Sequence, residues 1–199
     1  MWVGGTLSVA ATPNLSLSLD SVLRFGDSAG GLYEAAFGGV ISYSVAKDVQ
    51  IGGGYQHVIG YTNGRIAREE DRAREQISFP LGGLVGATLT GRARVEERWR
   101  SSSAQMGARV RLMVRFTRPL GGKQGPALIG YHESFIELND TSWGQVAGLR
   151  RMRNLVGIEV PLIPKLRGQI AYLNQYDFGA NGKRDAMANI LMLTIGAKF

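Results

Sequence analysis

Cysteine is absent from the 199-residue chain, which excludes thiolate metal centres, thiol nucleophiles and a disulfide framework. Histidine is scarce. His57 and His132 are the two that occur, and neither has a metal-ligand partner at useful spacing, so no metal and no cofactor is expected. No apolar run approaches the 18 or more residues of a membrane-spanning helix; the most apolar tract, ANILMLTIGAKF, is interrupted by Asn189 and Thr194. A helical membrane protein is therefore ruled out. The opening MWVGGTLSV lacks the charged-then-apolar plan of a secretion signal, and is read as the start of a mature chain. Basic blocks are missing too: 23 Lys and Arg against 16 Asp and Glu give a net charge of +7, but the cations alternate with apolar residues. That layout suits nucleic acid poorly, and nucleic acid is not an expected partner.

What the chain has in abundance is alternation. In TGRARVEERWR, with the residues just before it, Thr88, Thr90, Arg92, Arg94, Glu96, Arg98 and Arg100 form one row, while Ala87, Leu89, Gly91, Ala93, Val95 and Trp99 form the other. A β-strand sends such rows to opposite faces. The pattern recurs in Leu15, Leu17, Leu19, Leu23 and Phe25 against Ser16, Ser18, Asp20 and Arg24, and in Ala108, Val110, Leu112, Val114 and Phe116 against Arg109, Arg111, Arg115 and Thr117. Strands are predicted near 2–12, 15–26, 32–46, 49–62, 67–80, 84–100, 106–118, 126–139, 146–161, 166–178 and 186–199. The 28 glycines are scattered through these segments and mark turns and close backbone contacts.

Connection lengths alternate as well. TPN at 12–14, AKD at 46–48, PLGG at 80–83 and IPK at 163–165 are tight, whereas 26–32, 60–70, 100–106, 139–146 and 178–186 are longer and more polar. Tight turns at one end, longer loops at the other and strands well beyond the globular mode of about 5–6 residues are the plan of a transmembrane barrel. The competing reading is a soluble ligand-binding barrel, in which the oily face fills the interior. The quantity of strand arginine favours the membrane barrel. The expected fold is all-β: one domain over 1–199, a closed antiparallel transmembrane barrel of about 10–12 strands with short periplasmic turns and longer extracellular loops. Eleven strands can be counted, although bacterial single-chain barrels usually have an even number.

Leu191, Leu193, Ile195, Ala197 and Phe199 share one face of the final strand. A terminal phenylalanine closing such a strand resembles the signal by which bacterial outer-membrane barrels are recognised by the barrel assembly machinery. More broadly, LSLSLDSVLRF, ISYSVAKDVQIGGGY, RARVEERWR leading into GARVRLMVRFTRPL, HESFIELND followed by RRMRNLVGIEV, and YLNQ at 172–175 resemble in order and spacing a family of uncharacterised Gram-negative outer-membrane proteins. That family is catalogued as a domain of unknown function. The resemblance spans nearly the whole chain and implies a barrel in the bacterial outer membrane, in contact with outer-membrane lipid or lipopolysaccharide. It brings no activity, catalytic residue or ligand with it.

If the oily face meets lipid, the arginine face lines the lumen, because arginine at the lipid midplane costs about 2–4 kcal/mol. The expected lumen cations are Arg72, Arg74, Arg92, Arg94, Arg98, Arg109, Arg111, Arg115, Arg151 and Arg153, with Glu96, Glu133 and Glu137 among their acid partners. Cross-strand ion pairs filling a narrow barrel, and a positively lined passage or pocket for small anionic solutes, are both compatible with that set. The expected role is non-enzymatic: a narrow pore, or a binding or structural component of the envelope.

A lipid-modifying hydrolase is the alternative. His132 and Ser134 share a face in YHESF, and the His-x-Ser strand resembles the active strand of outer-membrane lipid A deacylases, whose site lies on the lipid-facing wall. Glu133 and Glu137 project the other way, and no third member is evident. Trp99, Trp143, Tyr61, Tyr176 and Phe178 are expected to form a girdle at the long-loop side and Tyr43 and Phe79 one at the short-turn side, with His57 at the interface near Tyr55 and Tyr61. Glu75 and Glu97 fall on oily rows and are expected at the outer headgroups.

Overall fold

The computed structural model describes residues 1–26, 30–122 and 125–199. Its strands are β1 (Trp2–Ala10), β2 (Leu15–Gly26), β3 (Gly31–Ala46), β4 (Val49–Thr62), β5 (Arg65–Leu84), β6 (Ala87–Arg100), β7 (Ser103–Pro119), β8 (Ala127–Glu137), β9 (Gly148–Ile163), β10 (Leu166–Asp177) and β11 (Ala186–Lys198). Each strand pairs with its neighbours in sequence, and β1 closes onto β11 to complete a barrel.

The closing pair departs from the all-antiparallel expectation. Strands that alternate up and down return the eleventh in the direction of the first, so an odd barrel closes only through a parallel pair. Trp2 to Ser8 lie opposite Met192 to Lys198 in parallel register, whereas the other neighbouring strands pair antiparallel. Ala10 and Phe199 extend this seam: the Ala10 amide donates to the Phe199 carbonyl, and the Phe199 amide donates to the Ser8 carbonyl.

Two expected long connections are tight turns. The segment 60–70 is strand on both sides of Asn63–Gly64, both with positive φ (51° and 73°), a conformation that matches the twist of a two-residue hairpin. The segment 100–106 is strand except at 101–102. The tight turn expected at 80–83 lies instead at 85–86, because β5 runs on to Leu84. The expected 26–32 connection falls partly outside the described residues. Real length asymmetry comes from the β8–β9 connection at 138–147 and the β10–β11 connection at 178–185, which together define one end of the barrel, here the loop end.

The two rows of every strand separate as the pleat requires. Outward-facing Leu17, Leu19, Ile41, Ile51, Val95, Leu112, Val114, Val156, Ile158, Ile170, Leu191 and Ile195 are exposed, while inward-facing Arg74, Glu70 and Glu96 are buried. This inverts a soluble barrel and is the plan of an outer-membrane-type barrel. On β9 the outward row passes from Asn154 through Val156 and Ile158 to Leu162; eight steps of about 3.3 Å at a tilt of about 40° make that span about 20 Å tall, close to the apolar band of a membrane barrel.

Candidate functional site

The interior is divided into two chemistries. Trp2, Ile129, Leu155, Ala171, Leu173 and Ile190, from β1 and β8 to β11, pack into an apolar cluster. The remaining wall, chiefly β3 to β8, carries the charged row. Alternation on β5, β6 and β7 aims Arg72 and Arg74, then Arg92 to Arg100, then Arg109 to Arg115 into the lumen, and antiparallel register stacks these rows side by side: Arg94 opposes Arg111, and Glu96 opposes both Arg74 and Arg109.

Carboxylates are shared between guanidiniums. Glu70, 1% exposed, accepts from Arg72 Nε at 2.6 Å, Arg98 Nε at 2.8 Å and Arg100 Nε at 3.0 Å. Glu96, fully buried, accepts from Arg109 Nε at 3.0 Å and Arg111 Nη1 at 2.6 Å. Glu133 accepts from Arg92 Nη2 at 2.9 Å and Arg111 Nη2 at 2.8 Å. Glu137 lies 3.3 Å from Arg98 and 3.5 Å from Arg109. The result is one continuous chain of alternating charge, Glu70, Arg98, Glu137, Arg109, Glu96, Arg111, Glu133 and Arg92, crossing four strands. Forked guanidinium geometry permits this sharing, which a lysine ammonium would not reproduce.

Aromatic faces supply further stabilisation. Trp2 lies between Arg24 at 4.2 Å and Arg153 at 4.8 Å. Phe135, buried, has Arg111 at 4.6 Å and Arg153 at 4.8 Å from its ring centre. Trp143 carries Arg100 at 4.1 Å and Arg98 at 5.2 Å. Trp143 was expected in the loop-side girdle and instead enters the lumen, because the connection 138–147 folds inward. Gln145 pins that fold: its amide nitrogen donates to the carbonyls of Ala108 and Asn139 at 3.1 Å each, and its oxygen accepts from Arg98 at 3.0 Å. Phe178, also expected in the girdle, faces the same space.

Between these walls lies a cavity of about 910 Å³. All ten arginines predicted for the lumen line it, as do Glu133 and Glu137; Glu96 is sealed behind them. Among the described residues, sixteen cationic side chains line the cavity against five carboxylates, so Glu70 and Glu96 behind the surface still leave a large positive excess. Arg153 and Arg115 have no carboxylate within ion-pair distance among the described residues. Arg153 is 7% exposed and donates through Nε to Gln175 Oε1 at 2.9 Å. Of the connections, the lining takes residues of the two long ones, such as Gln145 and Lys183, and among the described residues none of the short ones. Trp2, Gln56 and Gln145 were missed from sequence. Trp2 shares the inward row of β1 with Gly4 and Thr6, but only pairing with β2 and β11 brings it to Arg24 and Arg153.

A family model described as "Protein of unknown function (DUF2490)" matches residues 1–186. The chain belongs to this family. It is also similar to an uncharacterized protein of Methylorubrum extorquens, 30% identical over 176 residues that make up 88% of this chain and 77% of the relative. Among solved structures it is similar to the siderophore receptor PirA from Pseudomonas aeruginosa at 16% identity and a TM-score of 0.27, over 92% of this chain. The chain spans 37% of that receptor's length.

The outer wall of this DUF2490 member carries polar groups toward the loop end. Tyr55 donates to Asp71, and His57 Nδ1 lies 2.8 Å from the same carboxylate. On the opposite side Tyr172 and Asn174 both donate to Asn189 Oδ1, at 2.6 and 3.0 Å. Trp99 and Glu97 belong to this level. Glu75 departs from expectation: it lies deeper, in an outward groove with Ile51, Ile77 and Val95, beside Gly53, which has no side chain to cover it.

Proposed function

We propose that this protein is an outer-membrane barrel whose lumen, entered from the loop end, binds small anionic solutes. The observation that carries the reading is the excess of guanidinium over carboxylate around the 910 Å³ cavity, with buried Arg153 and half-buried Arg115 without an acid partner among the described residues. Uncompensated buried cations are costly, and an incoming anion relieves that cost. Membrane placement is supported by the exposed apolar belt, whose height suits a hydrocarbon core. In that setting the outer wall contacts lipid or lipopolysaccharide.

A lining that takes in the loop end but, among the described residues, none of the short turns favours a closed-ended vestibule. The second reading is a narrow anion pore, favoured by Arg115 and Tyr131, which carry the lining past mid-barrel toward the short turns. Planar-bilayer recording of the purified protein in sulfate and chloride, combined with calorimetric titration of sulfate, tests both. Sulfate binding without steady conductance supports the vestibule, and anion-selective steps support the pore. Cation-selective current, or no binding and no current, contradicts the anion reading.

A further inference from the structure

Three side chains on the outer wall of β8 and β9 are arranged for nucleophilic chemistry, apart from the lumen. His132 and Ser134 are two residues apart on one strand, so the pleat sends both outward, and His132 Nε2 lies 3.0 Å from Ser134 Oγ. Asn154 stands directly opposite His132 in the antiparallel register, with Oδ1 2.8 Å from His132 Nδ1. The amide oxygen has no hydrogen to give, so the ring proton sits on Nδ1. The lone pair at Nε2 then faces the serine hydroxyl, the tautomer a general base needs. The Glu133 and Glu137 carboxylates point inward into the arginine network, and the third member comes from the neighbouring strand.

We propose that Ser134, His132 and Asn154 form a hydrolytic site for ester-linked acyl chains of a membrane lipid, a substrate assignment that rests on the membrane placement proposed above. The surroundings fit an acyl substrate. The site continues in register into the polar Asn174 and Asn189 of β10 and β11, and it borders exposed Leu112, opposite Ser134, Val114, opposite His132, and Val156, two residues from Asn154 toward the short-turn end. Chains would lie along that oily surface while the headgroup and its ester remain at the polar level. Ser134 Oγ attacks the ester carbonyl carbon as His132 Nε2 takes its proton. The C–O bond breaks and the alcohol leaves with that proton. Water, deprotonated by the same nitrogen, then attacks the Ser134 acyl ester and releases a fatty acid, leaving serine and imidazole as they began. Asn154 is a positioning residue, acting only through His132.

The test uses the full chain in detergent micelles with two probes: a fluorescent alkyl fluorophosphonate and a long-chain diacyl phospholipid. The expected result is labelling of the protein and release of fatty acid, with Ser134→Ala abolishing the labelling and lowering turnover by about a thousandfold or more. Asn154→Ala should lower kcat about tenfold or more with little change in KM, and Asn154→Asp should restore most of it. Heat-modifiable migration of each variant verifies folding. Unlabelled wild-type protein that releases no fatty acid overturns the site. A short water-soluble ester cleaved as well as the long-chain lipid keeps the triad but overturns the lipid substrate, and partition of the chain into the soluble fraction without detergent separately contradicts the membrane placement.

Discussion

Glu133 of β8 and Arg153 of β9 face one another in register across the barrel wall, yet they do not pair. The Glu133 carboxylate is taken by Arg92 and Arg111, and Arg153 is left with the neutral amide of Gln175 and the faces of Trp2 and Phe135. Competition for too few acids leaves a buried guanidinium facing the cavity.

Replacing Arg153 with glutamine should therefore weaken sulfate binding without unfolding the barrel. Charge-assisted hydrogen bonds are worth about 1.5–3 kcal/mol, so the loss is about ten- to a hundredfold in affinity. Calorimetry on R153Q measures this, with Lys183→Gln at the cavity mouth expected to change affinity much less.

Glu96→Gln should have the opposite profile. Arg109 and Arg111 both lose their shared carboxylate, and breaking a buried pair costs about 3–5 kcal/mol. Urea titration in micelles followed by the heat-modifiability shift should place the midpoint well below that of the wild type.

Gly54 allows the wall to close. A Cβ there would come within 2.0 Å of the Gly39 carbonyl oxygen and 2.8 Å of the Val40 backbone, and backbone cannot move aside as a flexible side chain can. Gly54→Val should abolish the folded, heat-modifiable form, whereas Val at Gly64, in an open turn but at φ 73°, should give a weakened yet folded barrel.

The connection 138–147 depends on one side chain. Gln145→Ala removes hydrogen bonds to Ala108, Asn139 and Arg98, a loss of about 1–3 kcal/mol. Limited proteolysis should then cut within 138–147 faster than in the wild type, with the strands still protected.

Much of this architecture was legible because it is periodic. The two rows of TGRARVEERWR face lumen and exterior as read, Glu97 among the outward residues, and all ten predicted arginines line the cavity. The longer polar connection expected at 60–70 is largely strand: Arg68, Glu70, Arg72 and Arg74 are inward residues of β5 satisfied from neighbouring strands, as Arg68 is by Glu34, while Glu69, Asp71 and Glu75 face outward. Such satisfaction is invisible without pairing. The same limit hid Asn154, which meets His132 only through the β8–β9 register, and Trp143, whose inward turn follows from Gln145 and not from local pattern. The parallel seam between β1 and β11 runs against the all-antiparallel expectation and became visible only when eleven strands closed on themselves.

The central claim is that the loop-end lumen attracts anions, and collisional quenching of tryptophan tests it most directly. The protein has three tryptophans; Trp2 and Trp143 lie against guanidiniums at the cavity, and Trp99 stands outside. In Trp99→Phe protein in micelles, iodide should quench several times more strongly than caesium at equal concentration, and the difference should shrink as salt screens the lumen. Caesium quenching equal to or stronger than iodide would contradict an anion-attracting lumen.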